Sequence, residues 1–184
     1  MRPLGQLAAV TFAAFALAAC APMNVSAHVE RAVDFTQYHT WNWGPADALP
    51  TGDPRLDNNP FFKDYLEGAF EKQFAARQLE HANAGTPDLL IHYHANISQR
   101  FEVNGVDTSR GYCYDDCAPN LIEYELGTLV VDAVDARTNR VVWRGWAQSN
   151  VEGVIDNQDR LAAQINKAVT RMMERFPKTG RPQL

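Results

Sequence analysis

The chain carries no Gly-x-Ser-x-Gly elbow, no His-Glu-x-x-His, no glycine-rich phosphate loop and no dinucleotide fingerprint. The motif-based routes to hydrolase, zinc peptidase, nucleotide and nicotinamide chemistry are therefore missing. Positive charge is not in excess: 17 Lys and Arg against 22 Asp and Glu leave a formal charge of −5. Without a basic patch there is no electrostatic case for nucleic acid. Cysteine is scarce, with three in 184 residues. No apolar run reaches the ~20 residues that a spanning helix needs. Internal repeats and low-complexity stretches are lacking too. What remains is an ordinary globular composition, 46% hydrophobic and 21% charged.

The N-terminus is organised differently. Met1-Arg2 forms a short positive start, and Leu7 to Ala19 is uncharged and rich in Ala, Leu, Val and Phe. That length and flank fit the h-region of a secretory signal peptide. The run closes on Leu17-Ala18-Ala19-Cys20. This resembles the lipobox of bacterial lipoproteins, in which a diacylglycerol is attached to the Cys thiol and the signal is cut just before it. Two or more acyl chains hold a protein on a membrane where one does not. The competing reading is a soluble secreted protein cut at Ala19-Cys20-Ala21 or at Val25-Ser26-Ala27. Residue 21 is Ala, where an Asp would mark inner-membrane retention in Gram-negative lipoproteins, so the resemblance implies the outer membrane, facing the periplasm. Residues 1–19 then read as signal peptide and 20–27 as lipidated N-terminus and short tether. Residues 28–178 form one domain, and 179–184 a polar tail. The mature chain of 165 residues is enough for one core.

Cys113 and Cys117 are the remaining pair, an even number in an oxidising compartment. They lie in Gly111-Tyr-Cys-Tyr-Asp-Asp-Cys-Ala-Pro119, dense in turn formers. A local disulfide is the natural reading, worth ~2 kcal/mol for so small a loop. A metal site that adds Asp115 and Asp116 is the alternative, although zinc thiolate sites usually gather more Cys or His.

Between these features the chain alternates in period. Val25–Val33 reads as a strand, Asp34 as the cap of a single helical turn, and His39–Trp43 as a strand with His39, Trp41 and Trp43 on one face. Gly44–Asn58 holds three prolines and reads as a loop. Asn59-Pro60 starts a helix that runs to about Leu79. From Asp88 a long strand puts Leu89, Ile91, Tyr93, Ala95, Ile97, Phe101 and Val103 on one face. Leu90, His92, His94, Asn96, Ser98, Arg100 and Glu102 fall on the other. The cysteine loop covers roughly 104–120. Glu123–Asp135, the turn Ala136–Asn139 and Arg140–Val151 read as a hairpin. Asp156 or Asn157 caps a last helix with Leu161, Ile165, Ala168, Val169, Met172 and Phe176 on one stripe, stopped at Pro177. The order β-β-α-β-β-β-α predicts an α+β fold. It is a two-layer α/β sandwich, with a mostly antiparallel sheet of about five strands and two helices packed on one face.

Five stretches carry a resemblance. They are Asp34-Phe-Thr-Gln-Tyr-His-Thr-Trp-Asn-Trp43, Pro87-Asp-Leu-Leu-Ile-His-Tyr93, Gly127-Thr-Leu-Val-Val-Asp-Ala-Val-Asp135, Val141-Val-Trp-Arg-Gly145 and the late helix ending Phe176-Pro177. In this order the chain resembles the "domain of unknown function 4136" family of bacterial envelope lipoproteins. The resemblance spans nearly the whole mature chain. It implies a two-layer α/β fold and a lipoprotein, and no activity. The cysteine loop departs from the family pattern.

Three constellations offer chemistry. His92 and His94, two apart on a strand, point the same way and could chelate one metal if a neighbouring strand supplied a third ligand; otherwise both lie on a solvated face. Trp41, Trp43, Trp143 and Trp146 are either packing rings or an aromatic patch for glycan or partner. Trp143 and Trp146 share a face only if Gly145 sits in a bulge. Asp132 could serve a hydrolase, but capping by Asp135 and an Asp132–Arg144 ion pair are the plainer roles. The sequence thus predicts a non-enzymatic binding or scaffolding lipoprotein, held on the membrane through Cys20, with no cofactor. Its partner would be another envelope protein, a cell-wall component or its own copy. The alternative is a periplasmic metal-binding lipoprotein using His92 and His94.

Overall fold

The structure is a computed structural model, and it describes residues 22–45, 51, 53–104 and 120–180. Cys20, Cys113 and Cys117 lie outside the described residues, so the lipid attachment and the disulfide stand as sequence readings.

Among the described residues the fold is mixed α/β, an open six-stranded sheet with three α-helices. The strands are β1 (Asn24–Val29), β2 (Thr40–Trp43), β3 (Glu80–His81), β4 (Leu89–Asn104), β5 (Asn120–Asp135) and β6 (Arg140–Asn150). The helices are α1 (Pro54–Asp57), α2 (Pro60–Ala75) and α3 (Gln158–Met173). Strand order is β1-β6-β5-β4-β2-β3. β1, β6, β5 and β4 pair antiparallel, whereas β2 pairs parallel with both β4 and β3.

Three details differ from expectation. The sheet has six strands rather than about five, because Glu80–His81 adds a two-residue edge that no alternation in so short a stretch could announce. α1 forms inside the stretch read as loop: Asp53 accepts from Arg55 N–H at 2.8 Å, and Pro54 supplies the first helical φ. The fold also begins at Asn24, inside the residues assigned to the tether.

Alternation decides the layers. Leu89, Ile91 and Ala95 of β4 are buried, as are Val131 and Ala133 of β5 and Trp143 and Ala147 of β6. They share one face with Trp41 and Trp43 of β2 and with Val25, Ala27 and Val29 of β1. Both long helices press on that face. Asn59 caps α2 by accepting from Phe61 and Phe62 N–H, and Pro60 follows it. The helix then directs Phe62, Leu66, Phe70 and Phe74 inward. Phe74 lies 4.7 Å from Trp41 between ring centres, and Phe70 lies 6.2 Å from Trp43. Asn157 caps α3 through Arg160 N–H, and the predicted stripe Leu161, Ile165, Ala168, Val169 and Met172 is buried. Trp143 joins the layers: its ring stands 5.0 Å from Phe176, and its Nε1 donates to Arg175 carbonyl at 3.3 Å.

Gly145 is not a bulge. Its pairing with Val131 is in register, and the register shift falls between Ala133 and Val134, opposite Val142. Glycine is needed at 145 because the Trp143 indole lies across it. A Cβ there would stand 2.4 Å from Trp143 Cη2. Trp143 and Trp146 therefore stay on opposite faces.

The stretches that carry the resemblance meet at one end of the domain in a polar knot. Asp34 caps a turn of 3-10 helix at Phe35–Gln37 through Thr36 N–H. Tyr38, 1% exposed, donates its hydroxyl to Asp135 at 2.9 Å. Asp135 also accepts from Arg137 and Thr138 N–H, closing the β5–β6 turn. Asp88 accepts from His39 N–H, Thr40 N–H and Thr40 Oγ1, which fastens the start of β2 to the start of β4. Burial pushes both carboxyls up. The hydrogen bonds from Thr138, Tyr38 and Arg137 to Asp135, and from His39 and Thr40 to Asp88, outweigh it and leave both below the ordinary value. Their stabilisation is complete above the unfolded carboxyl value of ~3.9 and is lost as pH falls through the lower folded values. Thermal melts are expected to be insensitive to these two groups from pH 5 upward and to decline below about pH 4. Asp88→Asn with Asp135→Asn should lower the neutral-pH melting temperature and flatten that acid decline. Tyr38→Phe is expected to cost ~1–3 kcal/mol in urea unfolding, because it leaves part of the Asp135 carboxylate unpaired.

Candidate functional site: the open face of the sheet

The other face of the sheet has no helix over it among the described residues. The ladders set its side chains in rows. One row runs His28, Arg144, Asp132, His92 across β1, β6, β5 and β4. The next holds Ser26, Trp146, Val130 and His94, and the one after it Asn24, Gln148, Thr128 and Asn96.

The charged row is closed on itself at its centre. Arg144 Nε and Nη2 donate to the two oxygens of Asp132, each at 2.6 Å. This bidentate pairing occupies both carboxylate oxygens, and Asp132 in turn holds the guanidinium more firmly protonated. Asp132 is 6% exposed, so the pair also removes the cost of a lone buried charge. Nothing here equips Asp132 as a nucleophile or base, and the hydrolase alternative gains no support.

His92 sits beside Asp132 in the row, but its ring is covered from the β2 side. A Cβ on Gly44 would lie 2.2 Å from His92 Cε1, so only glycine passes over the imidazole. His94 is exposed one row further on. The two share a face as expected. No group of three or more His, Cys, Asp or Glu stands together among the described residues, and Asp132, the nearest carboxylate, is engaged.

The tryptophans separate. Trp41 and Trp143 are 1% and 0% exposed, and Trp43 packs against the same core. The four rings therefore make no common surface; only Trp146 stands on the open face, half-buried between Ser26 and Val130. The periodicity of β2 and β4 carried that outcome for Trp41 and Trp43. The position of Trp146 depended on the register at Gly145.

Between the middle of the sheet and the helices lies an apolar hollow, floored by the small residues Ala95, Gly127 and Ala147 and roofed by Phe62, Leu161 and Ile165. Its volume is about 70 Å³, far below the ~300 Å³ where ordinary ligand pockets begin. On its wall Gln164 Nε2 donates to Ser149 Oγ at 2.6 Å.

The model of the family described as domain of unknown function (DUF4136) matches residues 25–178, and the chain belongs to that family. No curated protein matches the sequence. A PDZ domain protein from Parabacteroides distasonis is similar in structure, with a TM-score of 0.51 and 18% identity over 88% of this chain. The chain spans 37% of that protein's length, and the likeness is one of fold. A PelC dodecamer from Paraburkholderia phytofirmans aligns at a TM-score of 0.47 and 11% identity, over 88% of this chain and 100% of that one.

Zinc titrated into tag-free protein is expected to leave the melting temperature unchanged. A rise of several degrees that disappears in His92→Ala would instead establish chelation on this face.

Proposed function

We propose that this chain is a non-enzymatic binding or scaffolding module of the bacterial cell envelope, tethered by acyl groups on Cys20 to the periplasmic side of the outer membrane. The observation that carries the reading is the two-faced sheet. One face is sealed by α2 and α3, and the other presents ordered polar rows with Trp146 among them. A mostly polar surface with ordered hydrogen-bonding groups suits recognition, and among the described residues no convergent catalytic set accompanies it. The partner is another envelope protein, a cell-wall component or a second copy.

The position of β1 argues against cleavage after Ala27. Its first residue, Asn24, lies only four residues after Cys20, and it pairs at once with Gln148. Cleavage after Ala27, one of the two soluble alternatives, would cut β1 in two and strip the pairs Asn24–Gln148 to Ala27–Gly145 from the sheet edge. Cleavage before Cys20 leaves that strand whole, as does the other soluble site at Ala19-Cys20-Ala21.

Intact mass spectrometry should find a mature chain that begins at Cys20 and carries acyl groups, and Cys20→Ser should appear in the soluble fraction. A mature, unacylated N-terminus at Ala21 or His28 would end the anchor reading. A photo-crosslinking residue at Ser26, exposed on the open face, should capture a discrete partner that the same residue at Glu71 on α2 does not. Identical capture from both positions would count against the face.

A further inference from the structure

β4 and β5 outrun the rest of the sheet. Among the described residues their ladder continues to Asn104↔Asn120, whereas β6 leaves β5 at Leu126↔Asn150 and the parallel pairing on the β4 side goes no further than the Thr51–Ala95 bridge. The result is a two-stranded ribbon that projects from the body. Its base is braced: Arg55 of α1, held by Asp53 at 2.8 Å, donates to Glu125 at 2.7 Å, and Val151 N–H donates to Glu125 carbonyl at 2.9 Å.

The ribbon points the same way as the incoming chain. β1 and β5 are both antiparallel to β6, so β1 starts on the side where β5 starts. Asn24, Gln148, Thr128 and Asn96 stand in one row. From that row the ribbon runs eight residues to Asn104, ~27 Å at ~3.4 Å per residue. Cys20 is four residues from the same row and can reach at most ~14 Å. The ribbon therefore extends about 13 Å beyond the furthest point the acylated residue can occupy along the strands.

We infer that the ribbon around Phe101 and Ile122 is a second membrane contact, lying in the headgroup layer of the bilayer that Cys20 enters. The inference rests on the acyl anchor proposed above. With Cys20 at the surface and so short a link, the ribbon enters the headgroups or lies along them. Its side chains fit that setting. Phe101 is 58% exposed and Ile122 42% exposed, although both are large and apolar. They occupy opposite faces: Phe101 pairs with Glu123, and Ile122 with Glu102. A protein partner docked on one face would leave the other apolar group in water, whereas headgroups surround both. Arg100 and Tyr124, paired on the Ile122 face, are side chains that settle at such an interface. Glu102 and Glu123 limit the depth, because charges are costly in hydrocarbon.

The test uses the full acylated protein in phosphatidylcholine vesicles, with a genetically encoded fluorescent amino acid at position 101 or, as control, at position 71 on α2. Intact mass establishes the acyl groups in the same samples. The expected result is a blue-shifted label at 101, quenched by nitroxide-bearing lipids, and a label at 71 that stays water-like. Adding Ile122→Glu should weaken the quenching at 101. A water-like label at 101 on an acylated chain overturns the ribbon contact and leaves the anchor standing. A chain without acyl groups overturns both. A blue shift in detergent that depends on protein concentration and ignores the nitroxide lipids would assign the ribbon to a second copy and overturn the proposal.

Discussion

The long antiparallel ladder between β4 and β5 is the constraint on which the other features depend. Each strand is 16 residues long, and every residue of one is paired with a residue of the other. Because side chains alternate at a period of two, that single register assigns all of them to a face at once. Leu89, Ile91, Val131 and Ala133 fall on the side that α2 and α3 cover. His92, His94, Asp132 and Val130 fall on the side left open. A slip by one residue would put Asp132 under the helices and Val131 in water. The Asp132–Arg144 pair and the row of Ser26, Trp146, Val130 and His94 exist only because that slip is prevented.

Two devices hold the register. At the turn end, Asp135 closes the β5–β6 connection and ties it to Tyr38, while Asp88 fastens β2 to the first residues of β4. In the middle, Trp143 lies over Gly145 and reaches Phe176 beyond α3. The five stretches that carry the family resemblance contribute mainly to these devices. Asp34, Tyr38, Thr40, Asp88 and Asp135 are hydrogen-bonded into the frame, and their shifted carboxyls follow from that bonding. The motif residues of this chain thus describe how the fold is fastened, and its function must be sought on surfaces the motifs leave free.

Those surfaces are of two kinds. The open face is broad and mostly polar, as suits the proposed recognition role. The ribbon is narrow, exposes one large apolar side chain on each face and is aligned with the incoming chain. In the proposed reading the ribbon is the membrane-facing end of the module and the flank of the sheet its recognition surface.

Much of this was legible in the residues in order. The single-face alternation of Leu89 to Ile97, the Asn59-Pro60 and Asn157 helix starts and the α3 stripe each depend on local period or capping, and each appeared where expected. Cys20 and the pair Cys113 and Cys117 remain sequence readings alone. Tertiary structure decided the rest. The β3 edge and α1 were too short for periodicity to register. The parallel pairing of β2 could not be read from a strand whose partner lies far along the chain. Gly145 showed that a glycine between two tryptophans could mark a bulge or make room for a ring, and only packing distinguishes these. His92 and His94 shared a face by local geometry, but whether a third ligand joined them depended on β5 and β6, where Arg144 had already engaged Asp132. Local sequence determined the elements and the buried side of each, because those follow from spacing along one strand or helix. Which side chains meet across the sheet depends on register between distant segments, and no one segment carries that information.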